Sequence, residues 1–271
     1  MIGMDKRVND LVILIRGAGE MATGVAHRLS SSNFKVCMTE TSNPQAVRRE
    51  VAFSEAVYDS EKEVEGIAAK RVESPDHISE VWREGKIPVL IDPEAKIIDF
   101  LKPDVLIDAT LAKRNLDTKI SDAPLVVGLG PGFHAGRNVH LVIETNRGHN
   151  LGRIIANGEA EPNTGIPGSI AGYTEERVIR APRDGNFKAL KKIGDGVRAN
   201  EKVGMIGNVE VRSRIAGVIR GLLQDGTEVW KGMKLGGVDP RGIKAHCYTV
   251  SDKARTISGG TLQAILEHFN G

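Results

Sequence analysis

Apolar residues occur along the first half of the chain in short runs that are separated by stretches with helical spacing. Residues 11–15 form a continuous apolar run, which is typical of a strand buried on both faces of a parallel sheet. Further strands are predicted over residues 34–39, 67–72, 88–91, 105–107 and 125–127, and helices over residues 20–29, 44–53, 75–84 and 256–269. Because strands alternate with helices, we expect an α/β fold with a Rossmann-like, mostly parallel sheet.

The turn after the first apolar run carries the glycine spacing of a dinucleotide-binding fingerprint. Gly17, Gly19 and Ala22 give the pattern G-x-G-x-x-A between a strand and a helix, where glycines let the backbone turn sharply and approach a phosphate. Glu40 ends the second strand, 23 positions after Gly17, where such folds place a carboxylate that binds a ribose hydroxyl. The residues predicted to bind a cofactor here are Gly17, Ala18, Gly19, Glu20, Met21 and Glu40.

A second glycine-rich turn follows the apolar residues 125–127 and has the sequence GLGPGF. Glycines at this density are favoured where the backbone turns sharply or approaches something closely, so the turn either binds a ligand or is a tight loop without one. Two strands also end in aspartates, Asp92 and Asp108, and a cationic pair follows the second of them. The predicted binding residues in these segments are Asp108, Lys113, Arg114, Gly128, Gly130, Pro131, Gly132 and Phe133.

The composition is that of an ordinary globular protein and argues against several functional classes. Basic residues number 37 and acidic residues 35, so no basic surface for nucleic acid is indicated. The longest apolar runs have strand length and fall short of the roughly 20 residues that a membrane span requires. Cys37 and Cys247 form no disulfide or metal motif, and Cys37 is expected to be a buried small hydrophobe. We therefore expect a cytoplasmic protein that binds no nucleic acid or membrane, and no metal-ligand residues are predicted.

An internal repeat organises the second part of the chain. Gly185 and Gly194 recur 32 positions later as Gly217 and Gly226, which predicts two matched all-β halves. This repeat resembles the barrel-sandwich hybrid of biotinyl and lipoyl carrier domains. Residues 207–213, between the halves, contain no lysine where the carriers bear their modified one, so no covalent biotin or lipoyl group is expected.

Three segments are expected along the chain. Residues 1–174 are predicted to form the Rossmann-like, cofactor-binding domain, and residues 175–241 the barrel-sandwich-hybrid domain. The proline- and glycine-rich residues 161–168 indicate irregular chain shortly before this boundary. Residues 242–271 are expected to form a helical segment that packs back on the first domain.

Several motifs resemble those of the YqeB-like branch of the XdhC-related accessory proteins. They include residues 128–133 (GLGPGF), 142–145 (VIET), 147–149 (RGH), 163–165 (NTG) and 238–241 (VDPR), together with Asp92-Pro93, Asp108-Ala109 and Lys113-Arg114-Asn115. The resemblance implies an accessory protein that takes part in the maturation of a selenium-dependent molybdenum hydroxylase. It also implies a molybdopterin-type cofactor and a molybdenum hydroxylase as client.

Two other functions stay open at this point. The glycine-rich turns suit NAD(P) as well as molybdopterin because both ligands carry phosphate. An NAD(P)-dependent oxidoreductase would need an acid–base residue, for which His134 in the second glycine turn is the candidate. The third function is a docking scaffold for a client enzyme. We favour a non-enzymatic protein that binds a small phosphate-bearing molecule, and a homo-oligomer is compatible with the sequence.

Overall fold

The computed structural model describes residues 7–270, and within them the chain forms two compact units. Unit 1 consists of the chain up to Pro44, Ala52–Asn163 and the segment from Val250 onward, and unit 2 consists of Gln45–Val51 and Thr164–Thr249. The predicted domain boundaries followed residues 174 and 241, whereas the units change at residues 44/45, 51/52, 163/164 and 249/250. Residues 45–51, predicted to be helical, belong to unit 2 because the Leu222 N–H donates to the Val47 carbonyl oxygen at 2.7 Å.

Strands and mostly short helices alternate in unit 1. Its strands are β1 (Val12–Arg16), β2 (Lys35–Glu40), β3 (Glu61–Val64), β4 (Ile67–Val72), β5 (Ile87–Ile91), β6 (Val105–Asp108), β7 (Leu125–Leu129), β8 (His134–Ala135), β9 (Leu141–Ile143), β10 (Ile154–Ile155) and β11 (Gly158–Glu159). Its helices are α1 (Glu20–Ser31), α2 (Ala56–Asp59), α3 (Ile78–Arg83), α4 (Ile98–Leu101) and α5 (Asp252–Asn270). In the described part of the chain, no helix combines the length and the apolar character that crossing a membrane would require.

The sheet of unit 1 is mixed, and this corrects the predicted fold class. Within residues 7–270 nine strands lie in the order β10-β9-β7-β6-β1-β2-β5-β4-β3. The strands from β9 to β4 are parallel, whereas β10 and β3 close the edges in the antiparallel direction. The Rossmann-like prediction is wrong, because that fold has the order 3-2-1-4-5-6 and here β5 lies between β2 and β4. Apolar runs mark strands, but they do not encode which strand lies beside which.

Helices α1 and α5 pack against each other in the same direction. A Cβ at Gly24 would lie 2.8 Å from the Cβ of Ala254, and Arg28 Nε donates to Ser258 Oγ at 2.8 Å. Both contacts join residues 230 positions apart, so the two helices advance in parallel. Because α1 follows β1 directly, the N-termini of both helices lie at the edge of the sheet where β1 ends.

Unit 2 consists of antiparallel strands and contains the predicted repeat. Its strands are β12 (Val178–Arg180), β13 (Gly185–Ala189), β14 (Gly196–Val197), β15 (Lys202–Ile206), β16 (Val209–Arg212), β17 (Gly217–Leu222), β18 (Glu228–Val229) and β19 (Lys234–Asp239). They form the sheets β12-β19-β17-β14 and β16-β15-β13-β18. The repeat over 32 positions is confirmed, because β13 and β17 begin at its matched glycines.

The class predicted for the whole chain, a Rossmann-like sheet joined to a biotinyl- or lipoyl-type domain, is therefore corrected. The described residues form a large mixed sheet with helices in unit 1 and two four-stranded antiparallel sheets in unit 2. Matched turns in a sequence predict antiparallel pairing between neighbouring strands. They do not determine the class of domain to which the paired strands belong.

Candidate functional site

The parallel strands of unit 1 bring most of the predicted binding residues to one edge. Arg16 ends β1, Glu40 ends β2, Asp108 ends β6 and Leu129 ends β7. The two glycine-rich turns begin directly after β1 and at the end of β7. We call this the C-terminal edge of the sheet, and it is the edge where open α/β sheets bind ligands.

Protein atoms occupy the space beside the first glycine of the first turn. Gly17 has φ of 94°, and a Cβ there would lie 3.1 Å from the carbonyl oxygen of Ala109. The carboxylate of Glu40 accepts hydrogen bonds from the N–H of Ala18 at 2.9 Å and from the N–H of Thr41 at 2.8 Å. Glu40 therefore holds the glycine turn in place, and Gly17 is required by the close approach of a neighbouring loop.

The N-terminus of α1 is the open part of the first turn. Gly19 precedes the helix, and a Cβ there would meet no other atom within 4 Å. Within the described residues no side chain caps α1 at this position. Glu20 begins the helix, and Met21 is buried behind it in the core. The first turn therefore leaves open space beside a helix N-terminus, where partial positive charge favours an anion.

A buried ion pair at the ends of β1 and β6 ties several loops together. Arg16 Nη1 lies 3.8 Å from Asp108 Oδ2, and both side chains are buried. Arg16 Nη2 also donates to the carbonyl oxygen of Pro93 at 2.8 Å. Asp108 accepts from the hydroxyls of Thr110 at 2.7 Å and Thr118 at 2.6 Å. Asp108, predicted to bind a cofactor, thus belongs to a structural network, and its pairing with Arg16 has no signature in the sequence.

Internal packing also accounts for glycines in the second turn. A Cβ at Gly128 would lie 2.3 Å from the ring of Phe133, which is buried in the core. Gly130 has φ of 78°, and the hydroxyl of Thr145 fills the space beside it. These two positions therefore need glycine because protein groups lie against them. A ligand is not needed to explain them, and their predicted role in cofactor binding stays a prediction.

The second glycine turn also positions the loop that follows β6. A Cβ at Gly132 would lie 2.7 Å from the Cα of Arg114, so the two backbones are in direct contact. Pro131 is half-buried beside this contact, and the side chain of Arg114 is exposed. Lys113 precedes Arg114 with φ of 64°. The contact keeps this short cationic segment at the C-terminal edge.

Lys253 lies within electrostatic range of two cations from other parts of the chain, Lys113 and Arg147, and we call these three residues the lysine site. Lys113 follows β6, Arg147 follows β9, and Lys253 lies in the first turn of α5. Burial lowers the pKa of Lys253 to about 8, and the charges of Lys113 and Arg147 lower it further. Glu20 and Glu144 act in the opposite direction. Burial also lowers the pKa of Lys113.

In the described part of the chain, neither lysine of this site forms an ion pair. Among residues 7–270 neither ammonium group makes a hydrogen bond or an ion pair with another side chain. Arg147 is different, because it forms a bidentate pair with Asp252 at 2.7 and 3.0 Å. Glu144 is buried, and its carboxylate accepts from the backbone N–H groups of Asn146 and Glu161, both at 2.7 Å. These contacts hold Arg147 and the carboxylate of Glu144 in place.

His134, the predicted acid–base candidate, makes its hydrogen bonds within its own turn and not with the lysine site. Its Nδ1 is 2.8 Å from the carbonyl oxygen of Ala135, and its backbone N–H donates to Asn138. In the part of the chain that the structure describes, no carboxylate is hydrogen-bonded to its ring. No group of three or more His, Cys, Asp or Glu side chains suited to a metal occurs there either. Cys37 and Cys247 are both buried and unpaired.

Sequence reasoning identified Lys113 but missed Lys253. Lys253 lies 140 positions further along the chain, in a helix whose docking on α1 could not be inferred from its own apolar pattern. One signal was available, since a lysine in the first turn of a helix is unfavourable beside the positive end of the helix dipole. Such a residue is retained more readily when an anion compensates its charge.

Another histidine, His140, completes the hydrogen-bond ladder beside β7 with its side chain. Its backbone N–H donates to the carbonyl oxygen of Val126 at 2.9 Å, and its Nδ1 accepts from the N–H of Val126 at 2.9 Å. The neutral ring must therefore carry its proton on Nε2. Burial and then the neighbouring His268 lower the pKa of His140.

The stability of unit 1 should consequently decrease as the pH falls below about 6.5. In that range the unfolded chain binds a proton at His140 that the folded chain does not bind. The contribution of neutral His140 to the free energy of unfolding is therefore complete above the unfolded pKa, and it is lost as the pH falls from the unfolded pKa through the lowered folded pKa. Urea unfolding between pH 5 and 7.5 measures the slope. His140→Asn, whose Oδ1 can still accept from Val126, should flatten the slope, and an unchanged slope would contradict the assignment. His140→Ala leaves the Val126 N–H unsatisfied and should cost about 1–3 kcal/mol.

Comparison with known proteins identifies a sequence relative of unknown function. The chain is 47% identical over 255 residues to a protein from Escherichia coli (strain K12) named "Uncharacterized protein YqeB". The match covers 94% of this chain and 47% of that protein, so the chain spans about half the length of this curated relative. The resemblance to YqeB is thereby confirmed. No protein-family model matches the chain.

Several solved structures match at low similarity. The product-bound ectoine utilization protein EutE (DoeB) from Ruegeria pomeroyi is 12% identical, with a TM-score of 0.26 and coverage of 84% of this chain and 85% of that one. A succinylglutamate desuccinylase/aspartoacylase from Rhodobacter sphaeroides is 15% identical, with a TM-score of 0.28 and the same coverage. An aspartoacylase family protein from Mesorhizobium loti is 11% identical, also with a TM-score of 0.28 and the same coverage. TM-scores this low establish no common fold.

These comparisons contradict the predicted role in molybdenum hydroxylase maturation. The sequence relative is named as uncharacterized, and no protein-family model connects the chain to that role. The assignment to an XdhC-related, selenium-dependent system is therefore wrong, and its alternatives, an NAD(P)-dependent oxidoreductase and a docking scaffold, gain no support. The resemblance rested on short motifs, and several of those motifs have structural roles in this protein.

Proposed function

We propose that unit 1 binds a small phosphate-bearing molecule at the lysine site. The observation that supports this most directly is the pair formed by Lys113 and Lys253. The charge of Lys113 disfavours the ammonium form of Lys253, and neither lysine forms an ion pair with an acid among the described residues. A dianion placed between them removes this repulsion and supplies the missing acceptors.

The helices around the site favour the same class of ligand. The N-terminus of α1 has open space beside Gly19, and the N-terminus of α5 carries Lys253 in its first turn. Since the two helices run in the same direction, both positive dipole ends lie at the C-terminal edge. Phosphate carries two charges near neutral pH and offers several acceptor oxygens, so it satisfies these donors better than a singly charged carboxylate.

Binding of inorganic phosphate tests this proposal. Isothermal titration calorimetry at low ionic strength should detect phosphate binding to the wild-type protein. Lys113→Met and Lys253→Met should each weaken it by about tenfold or more, because a hydrogen bond to a charged group contributes roughly 1.5–3 kcal/mol. Lys35→Met is the matched control, since Lys35 is exposed at the start of β2, on the opposite edge of the sheet.

The control variant should bind phosphate within about twofold of the wild type, and added salt should weaken binding in both. Acetate, a monoanion, should bind more weakly than phosphate. Equal phosphate affinity in the wild type, Lys113→Met and Lys253→Met would contradict the proposal. Circular dichroism of each variant establishes that lost binding does not arise from lost folding.

A further inference from the structure

We infer that the loop after β6 binds the terminal phosphoryl group of a phosphate monoester through its backbone N–H groups. We call residues 110–117 the amide loop. This inference rests on the proposed function, because it names the backbone donors and the ligand class of the same site. Nothing in the sequence relative or in the similar structures assigns a ligand to this loop.

The amide loop presents a row of backbone donors that the protein leaves open. Thr110, at its start, donates its N–H to Asp108 Oδ1 at 3.1 Å. The next seven N–H groups, those of residues 111–117, have no acceptor among residues 7–270. An anion with several oxygen atoms can accept from a number of such neighbouring donors at once.

The backbone of the loop alternates in the way that turns successive N–H groups toward one side. Leu111 has φ of 54° and Lys113 has φ of 64°. The residues directly before, between and after these two have negative φ. Alternating signs of φ are typical of a nest, a concave row of N–H groups that binds anions such as phosphate. The open donors of the amide loop are therefore arranged for an oxyanion.

Both glycine-rich turns hold the amide loop in this conformation. A Cβ at Gly17 would lie 3.3 Å from the Cα of Thr110. A Cβ at Gly132 would lie 2.7 Å from the backbone nitrogen of Arg114. Since the loop is fixed at two points in the free protein, its donors need little ordering when a ligand binds.

The charges around the loop select the ligand class. Lys113 and Arg114 belong to the loop itself, and Lys253 lies within electrostatic range of Lys113. A phosphate monoester has about two negative charges near neutral pH and three terminal oxygens. A phosphate diester has one negative charge and two terminal oxygens. The monoester therefore matches a site with several N–H groups and two lysines better than the diester does.

Amide resonances report the predicted contact directly. In ¹H–¹⁵N spectra of the full chain, saturating methyl phosphate, a monoester, should shift the amide protons of residues 111–114 downfield, because charge-assisted hydrogen bonds form. Dimethyl phosphate, a diester, should bind about tenfold more weakly in calorimetry, because it offers fewer charge-assisted contacts. If methyl phosphate binds without shifting these amides, or if both esters bind equally, the inference is overturned while the proposed function stands. If calorimetry detects no binding of inorganic phosphate either, both fall.

Two substitutions at Leu111 separate the backbone conformation from a role of the side chain. Leu111→Val introduces a β-branched residue, which strongly disfavours positive φ, whereas Leu111→Gly permits positive φ without steric cost. Leu111→Gly should therefore bind methyl phosphate about fivefold or more tightly than Leu111→Val. The opposite order, which a role of the leucine side chain predicts, would overturn the inference.

A pair of glycine substitutions tests the support of the loop. Gly132→Ala places a Cβ against the backbone of the amide loop, whereas a Cβ at Gly136 would meet no atom within 4 Å. Both glycines have positive φ, of 109° and 83°, so Gly136→Ala is the matched control for backbone strain. Only Gly132→Ala should weaken binding of methyl phosphate, by about tenfold. Equal affinities in the two variants, each shown to be folded by circular dichroism, would overturn the inference.

Discussion

Replacement of Asp108 by alanine is expected to lower the free energy of unfolding of unit 1 by about 3–5 kcal/mol. Asp108 is fully buried and lies 3.8 Å from the buried guanidinium of Arg16. It also accepts hydrogen bonds from the hydroxyls of Thr110 and Thr118. Alanine removes all of these acceptors and leaves the arginine charge inside the protein with less compensation.

Asp117→Ala is the matched control for this prediction. Asp117 pairs with the same arginine, but its side chain is half-exposed, so its removal should cost at most about 1 kcal/mol. The double variant Arg16→Met with Asp108→Leu should recover much of the stability, because apolar groups need no counter-charge. Equal losses for Asp108→Ala and Asp117→Ala would contradict the buried-pair account.

Tryptophan fluorescence can follow this unfolding in unit 1 alone. The protein has two tryptophans. Trp82 belongs to unit 1, where its Nε1 donates to the carbonyl oxygen of Val36 at 2.7 Å, and Trp230 is exposed in unit 2. In a Trp230→Phe background the fluorescence of Trp82 therefore reports urea unfolding of unit 1.

A second large effect is expected where α5 contacts the loop after β9. A Cβ at Gly260 would lie 2.0 Å from the carbonyl oxygen of Gly152, and the colliding atom belongs to the backbone. Gly260→Ala must therefore displace the helix or the loop, and it should lower the free energy of unfolding by about 2–3 kcal/mol. This displacement should also weaken phosphate binding, since the helix carries Lys253 and the loop carries Arg147.

The neighbouring glycine is an internal control for this prediction. A Cβ at Gly259 would meet no atom within 4 Å, so Gly259→Ala adds a methyl group without a collision. Because alanine forms helices more readily than glycine, this variant should be about 0.5–1 kcal/mol more stable than the wild type. If the two substitutions had the same effect, the close contact between α5 and the loop would be refuted.

The sequence predicted the local elements of unit 1 better than their arrangement. The apolar run over residues 11–15 and the glycines after it place a strand and a turn correctly, since both follow from local backbone preference. The position of β5 between β2 and β4 has no local signature, because it depends on contacts between distant strands. The helix predicted over residues 44–53 failed for a similar reason, since this segment pairs with unit 2.

The candidate site was predictable only in part. Glycine spacing shows where the backbone needs freedom, but it does not show what lies against the glycine. At Gly17 it is the backbone of Ala109, and at Gly128 it is the ring of Phe133. The predicted ends of the parallel strands identified the C-terminal edge of the sheet as the place for binding residues. Lys253 could not be placed there, because it reaches this edge only through the packing of α5 on α1.

Lys113 and Lys253 are proposed to form an anion-binding pair, and an NMR titration of protein labelled with ¹³C-lysine tests this pairing. The ε-carbon resonance of Lys253, assigned by its absence in Lys253→Arg, should titrate near pH 8 in the free protein. Saturating phosphate should raise this pKa, because an anion that binds the charged form stabilises it. Titration of every lysine near its ordinary pKa of about 10.4, with no change on addition of phosphate, would contradict the account.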